Sequence, residues 1–213
     1  MEFLDPGLAQ YTEEHTSPED KVLAELNRET NAHILMPRML SGHLQGRVLS
    51  MISHMVKPKY ILEIGTYTGY SAICLAEGLQ EGGQVHTIDI NDELMPLVNK
   101  YIAKASLQNK IIAHTGNALN IIPTLTPLFD IVFIDADKIN YSNYFDLVID
   151  KIPSGGFIIA DNVLWSGKII DPIEKMDNDT RALNSFNKKV HNDRRVENVL
   201  LPVRDGLLLI RKI

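Results

Sequence analysis

Cysteine occurs once in these 213 residues, at Cys74, so neither an intrachain disulfide framework nor a Cys/His zinc cluster can be built. A basic excess is also missing: 21 Lys and Arg stand against 27 Asp and Glu, a formal net charge of −6. Holding nucleic acid by charge takes clustered Lys and Arg, and the densest basic stretches here are Lys188-Lys189 and Arg194-Arg195. Nucleic acid is therefore not an expected partner. No apolar run approaches the roughly 20 residues of a membrane span. Met1 to Asp20 is acidic and polar, with no signal-peptide core. The histidines are scattered, and none are spaced as H-x-x-x-H. What remains, 45% hydrophobic and 23% charged residues, is the composition of a soluble globular chain. Its length suits one domain, residues 1–213, whose core needs no staples. A cytoplasmic location is the expectation.

The N-terminal part, 1–57, reads as helices. Ser17-Pro18-Glu19-Asp20 has the form of a helix start, with Ser as cap and Pro at the first helical position. A second helix is expected from Gly42 to Val56, with Leu44, Val48, Leu49, Ile52 and Met55 on one face. From 58 to 213 strands and helices alternate. Strands are expected at Tyr60–Ile64, Val85–Ile90, Ile111–His114, Phe129–Ile134 and Phe157–Ala160. Helices are expected at Gly69–Leu79, Asp92–Ala105, around Tyr144–Asp150 and at Asp177–His191. Two closing strands, Val196–Leu201 and Leu207–Arg211, read as an edge hairpin. Such alternation implies an α/β fold with a mostly parallel sheet covered on both faces. Ligands of these sheets bind beyond the carboxyl ends of the strands.

The first strand runs into Glu63-Ile64-Gly65-Thr66-Tyr67-Thr68-Gly69-Tyr70-Ser71. Gly65 and Gly69 permit a tight turn and close approach of a ligand. The following helix presents its free N–H groups to that turn. Asp89, at the end of the second strand, can accept hydrogen bonds from ribose hydroxyls. The spacing is G-x-x-x-G rather than the G-x-G-x-x-G of dinucleotide sites, which favours a nucleoside ligand without phosphates. The plainer reading is a strand-to-helix turn and a solvated acid.

A second cluster is made of oxygens. The fourth strand ends in Asp135-Ala136-Asp137-Lys138 and the fifth in Asp161-Asn162. Asp135, Asp161 and the Asn162 amide form a hard, all-oxygen set suited to Mg²⁺, Mn²⁺ or Ca²⁺. Lys138 can reach the same point, where a bound cation would disfavour its ammonium form and allow it to act as a base. The plainer reading is that these acids cap the following helices and that Lys138 pairs with one of them. Convergence depends on the sheet order.

Together these motifs resemble the metal-dependent class I O-methyltransferases, the family of catechol and caffeoyl-CoA O-methyltransferases. The matching stretches are Leu62 to Ser71, Ile88-Asp89-Ile90, Phe133 to Lys138, Ala160 to Trp165 and Leu201 to Gly206. The resemblance implies a Rossmann-like fold with a seven-stranded sheet, an antiparallel C-terminal hairpin and S-adenosylmethionine as methyl donor. It implies that Glu63, Gly65, Thr66, Tyr67, Ser71, Asp89, Ala118 and Asp135 contact the donor. Asp135, Asp161 and Asn162 would bind a divalent metal, with Lys138 as general base. Asp137, Trp165 and Asp205 would border the acceptor. The family often has Glu-Gly-Gln and an aromatic where this chain reads Gln45-Gly46-Arg47-Val48, so Arg47 is expected to mark a different acceptor. The reaction implied is methylation of a hydroxyl on a small catechol-type aromatic, by a homodimer. Other classes weighed are a nucleotide-dependent oxidoreductase, a methyltransferase of another acceptor class such as nucleic acid or protein, and a donor-binding sensor. Cys74, Tyr141 and Tyr144 are expected to be packing residues.

Overall fold

The computed structural model describes residues 5–213; Met1 to Leu4, part of the expected N-terminal region, lie outside the described residues. Its strands are β1 (Tyr60–Ile64), β2 (Gln84–Asp89), β3 (Ile111–Thr115), β4 (Ile131–Ile134), β5 (Phe157–Ala160), β6 (Val196–Leu201) and β7 (Leu207–Lys212). They form one seven-stranded sheet in the order β3-β2-β1-β4-β5-β7-β6. β1 to β5 pair in parallel, and β7 runs antiparallel to both β5 and β6. This is the expected α/β fold with its edge hairpin. The chain builds outward from β1 through β2 to β3, then returns to place β4 on the other side of β1. The crevice at this reversal is where ligands of such sheets bind.

The helices are α1 (Pro6–Glu14), α2 (Lys21–His33), α3 (Gly42–Val56), α4 (Tyr70–Ala76), α5 (Met95–Lys104), α6 (Ala118–Ile121), α7 (Tyr141–Val148) and α8 (Asn178–Asn192). Apolar side chains on both faces of the central strands explain their near-continuous hydrophobic runs. Leu62 and Ile64 enter one core with Phe129, Phe145 and Phe186. Ile61 enters the other with Leu23, Leu26, Leu49 and Tyr101. Gly46 allows α3 to lie against α4: a Cβ there would stand 2.7 Å from Tyr70 Cε1 and 2.9 Å from Cys74 Sγ. Cys74 is buried, and burial pushes its thiol up to about 12, in keeping with a small core hydrophobe. Among the described residues no helix is long and apolar enough to cross a membrane.

Several local expectations differ from the structure: β4 starts at Ile131 rather than Phe129, α4 ends at Ala76 rather than Leu79, and α6 was not expected. The helix expected to start at Ser17-Pro18 starts later, because Asp20 is the stronger cap; its carboxylate accepts from Leu23 N at 2.8 Å. α1 was not expected, although Asp5-Pro6 carries the same start signal, with Asp5 Oδ1 accepting from Gly7 N at 2.8 Å. It buries no residue, so no apolar stripe marks it in the sequence.

His86 on β2 and His114 on β3 meet at 3.1 Å, Nδ1 to Nε2, with stacked rings. Burial lowers both histidines below the ordinary imidazole value, and the neighbouring His114 lowers His86 further. Unfolding exposes them, so the unfolded chain takes up protons below pH ~6.5 while the native chain refuses them. Their contribution to stability is complete above that pH and is lost as pH falls toward the native values. The thermal midpoint should therefore drop more steeply between pH 7 and 5.5 in the natural chain than in His114→Gln. Parallel slopes by scanning calorimetry would refute this.

Candidate active site at the carboxyl ends of the central strands

Neighbouring strand ends bring the candidate residues together. Gly65 N donates to Ile88 O at 2.9 Å, Asp135 N to Ile64 O at 2.9 Å and Asp161 N to Ile134 O at 3.0 Å. The residues that leave β2, β1, β4 and β5 therefore stand side by side above the sheet edge. They border a cleft of about 1760 Å³. Gly65, Thr66, Tyr67, Ser71, Asp89, Ala118, Asp135, Asp137, Lys138, Asp161, Asn162, Trp165 and Asp205 all line it.

The turn after β1 is shaped by Gly65, at φ +104. A Cβ there would stand 1.9 Å from the Asp135 carbonyl oxygen, so only glycine lets the two strand exits pass. Gly65→Ala combines backbone strain of about 1–3 kcal/mol with overlap against immovable main chain. The thermal midpoint should fall by about 2–4 °C for each kcal/mol lost, with loss of ligand binding in the cleft. An alanine variant with the natural midpoint and ligand affinity would contradict this geometry.

Asp89 holds the turn: Oδ2 accepts from Tyr67 N at 2.7 Å and Oδ1 from Asn91 N at 2.9 Å. Each oxygen can accept a further hydrogen bond, and Asp89 lines the cleft. The Tyr67 hydroxyl donates to Leu35 O and Met36 O at 3.1 and 3.2 Å, drawing the segment between α2 and α3 over the cleft. Ala118 opens α6, whose cap Asn117 accepts from Leu119 N at 2.9 Å. Glu63 does not line the cleft; it is fully buried beneath the turn. Its Oε2 accepts from the Thr87 hydroxyl at 2.5 Å, which in turn lies 2.5 Å from the Thr66 hydroxyl. Burial pushes its carboxyl up to about 8, against the Thr87 hydrogen bond. Its Oε1 has no partner, and neither has the buried Thr68 hydroxyl. Unsatisfied buried acceptors under a glycine turn fit a ligand that brings its own donors, such as an amino acid ammonium.

On the other side, Lys138 is 8% exposed. Its Nζ donates to Asp135 Oδ1 at 3.1 Å, Tyr141 Oη at 2.7 Å and Asn162 Oδ1 at 2.9 Å. Tyr141 Oη donates onward to Asp161 O at 2.9 Å. Nζ also sits 5.7 Å from the Trp165 ring centroid. Asp161 is 2% exposed, and its Oδ1 accepts from Asn162 N at 2.7 Å. Burial, and next the charge of Asp135, push its carboxyl up to about 7. Asp137 takes Tyr144 Oη and Asn140 Nδ2 on its two oxygens, each at 2.5 Å.

Among the described residues no three His, Cys, Asp or Glu side chains are grouped to hold a metal. The expected set has only two carboxylates, with an amide oxygen third. These residues nevertheless fit a hard cation. Asp135 and Asn162 already direct one oxygen each at the Lys138 nitrogen, and among the described residues that lysine is the one ion-pair partner of the two acids.

Arg47 does not meet the acceptor expectation. Its guanidinium donates to Glu77 at 2.7 and 2.9 Å across the α3–α4 contact and does not line the cleft. An arginine on that helix face finds a carboxylate on α4 before it can reach the cleft. Tyr141 and Tyr144 are packed as expected, but each also bonds a site residue, which hydrophobic patterning could not indicate. Gln45 and Arg204 were also missed as site residues; Gln45 donates to Asp161 Oδ2 at 2.6 Å. An amide inside an apolar helix stripe was the one available signal.

Comparison with known proteins places the chain in a family. A family model described as O-methyltransferase matches residues 13–213. A caffeoyl-CoA O-methyltransferase of Stellaria longipes is 32% identical, over 100% of this chain and 95% of its own. Another, from Petroselinum crispum, is 35% identical over 92% of this chain and 85% of its own. An O-methyltransferase of Bacillus cereus, solved with S-adenosylhomocysteine, superposes with a TM-score of 0.90 at 30% identity, covering 97% of each chain. With a matched family model spanning nearly its whole length, this chain belongs to the O-methyltransferase family.

Proposed function

We propose that this enzyme transfers a methyl group from S-adenosylmethionine to a hydroxyl of a small catechol-type aromatic, with a divalent cation as cofactor. The observation that carries this reading is the meeting of Asp135, Asn162, Asp161 and Lys138 beside the Gly65 turn in one cleft. The S-adenosylhomocysteine-bound relative supports the donor.

When bound, the donor supplies an electrophilic methyl group, and the cation supplies positive charge to the two acceptor oxygens. Gly65, Thr66, Tyr67, Ser71, Asp89 and Ala118 bind and orient the donor, Asp89 through ribose hydroxyls, and Glu63 supports the turn from beneath through Thr87 and Thr66. Asp135, Asp161 and Asn162 hold the cation. Trp165, Asp137 and Asp205 border the acceptor, the indole offering a wall to an aromatic ring. Lys138 Nζ takes the acceptor's hydroxyl proton. It does so as the neutral amine, and Tyr141 Oη, 2.7 Å away and not a cation ligand, stays as an acceptor for the ammonium that results. Alignment of two bound reactants is the chain's main contribution, worth ~7–11 kcal/mol in favourable cases.

The proposal extends to one catalytic unit over 1–213, a cytoplasmic location and a homodimer. Methyl transfer to catechols, caffeic acid, caffeoyl-CoA and catechol flavonoids, read by mass spectrometry, tests it. Mono-methylated product that disappears with EDTA is expected. Product that survives EDTA sinks the cation's role, and failure to bind S-adenosylmethionine sinks the whole reading.

A further inference from the structure

Asp161 is gripped by Gln45, which Arg204 holds in turn, and the reaction above uses neither. Gln45 on α3 is 1% exposed, and its Nε2 donates to Asp161 Oδ2 at 2.6 Å. Its Oε1 accepts from Arg204 Nη1 at 2.9 Å. That second bond fixes the sense of the amide: with its oxygen turned to the guanidinium, its NH₂ faces the carboxylate. Arg204 lies in the turn between β6 and β7 at φ 50, a left-handed conformation that favours glycine. Its guanidinium is also held by the Ser41 carbonyl at the start of α3. A long side chain kept in unfavourable backbone and turned inward is a strained feature that its surroundings maintain. The neighbouring Asp205 Oδ1 accepts from Ser166 N at 2.5 Å, so the same turn also braces the loop after β5.

We propose that Arg204 and Gln45 are positioning residues that orient the Asp161 carboxylate toward the divalent cation, so that the β6–β7 turn sets the site's cation affinity. The proposal rests on Asp161 being a cation ligand, as in the reading above. Asn162 N holds only Oδ1. Without Gln45 on Oδ2 the carboxylate plane is free to turn about Cβ–Cγ, and an oriented ligand becomes one of several rotamers. Outer partners of this kind are typically worth about 10–100-fold in metal affinity.

Calorimetric titration of the full chain with Mn²⁺, and separately with S-adenosylhomocysteine, tests the clamp. Gln45→Leu should weaken Mn²⁺ about 10–100-fold. Arg204→Gly should weaken it in the same direction by less, because the amide is loosened rather than removed; Arg204→Lys should restore part of the loss. Glycine accepts the left-handed backbone, so the thermal midpoint of Arg204→Gly should stay near the natural value even if Gln45→Leu fails to fold. S-adenosylhomocysteine affinity should be unchanged in the folded variants. Mn²⁺ affinity within twofold of the natural chain in Arg204→Gly overturns the proposal. Equal loss of both ligands with a fallen midpoint also overturns it, since that is a purely structural role. A natural chain that binds S-adenosylhomocysteine but no Mn²⁺ removes the cation reading itself, and the clamp with it.

Discussion

Asp161→Asn should lower cation-supported methyl transfer by at least about a hundredfold, because it removes one of the two charges that hold the cofactor. The residue is 2% exposed beside Asp135, so in the cation-free chain its charge is disfavoured by burial and by that neighbour. Asparagine relieves this repulsion. It must still offer an oxygen to Asn162 N, which leaves its NH₂ facing the NH₂ of Gln45. The two effects oppose each other, and the thermal midpoint without cation should move by only a few degrees. With Mn²⁺ or Mg²⁺ added, the natural chain should gain stability by mass action and the variant should not. Turnover by mass spectrometry and midpoints with and without cation check both halves. A folded variant with normal turnover would remove Asp161 from the site.

Lys138→Met should lower kcat by about 10²–10⁴, the usual contribution of a positioned acid or base. Methionine keeps the side chain out to Cε and removes only the nitrogen that stands 4.9 Å from the Tyr141 ring centroid and 5.7 Å from that of Trp165. That nitrogen now sits on Asp135 Oδ1 and Asn162 Oδ1. Those oxygens lose a competing hydrogen-bond donor, so Mn²⁺ should bind as tightly as in the natural chain or more tightly. This separates the two variants: Asp161→Asn loses turnover together with cation affinity, Lys138→Met loses turnover alone. A methionine variant with unchanged kcat would leave the proton transfer without its base.

Much of the fold was legible because each element carried its own signal. Tyr60–Ile64 and Phe157–Ala160 read as buried strands from uninterrupted apolar runs, and α3 appeared over Gly42–Val56 from its stripe. α1 escaped because it buries nothing, and the start of α2 was misplaced because two capping signals stood three residues apart. Both lie in exposed segments, where burial does not choose between local alternatives; the unexpected α6, only four residues long, was too short to carry a stripe.

By itself the sequence determined the order of strands and helices, the glycine turn after β1, and the acids and lysine that end β4 and β5. These are local facts, set by turn chemistry and by the alternation of apolar and polar residues. The tertiary structure decided what those residues do together. Only the sheet order β2-β1-β4-β5 places Asp89, Gly65, Asp135 and Asp161 side by side, since hydrogen bonding between distant strands carries no local pattern. It also decided against Arg47, which spends its charge on Glu77, and in favour of Gln45, Tyr141 and Arg204. Their roles follow from which neighbour lies within about 3 Å, the range of a hydrogen bond, and that distance exists only once helices, hairpin and sheet have packed.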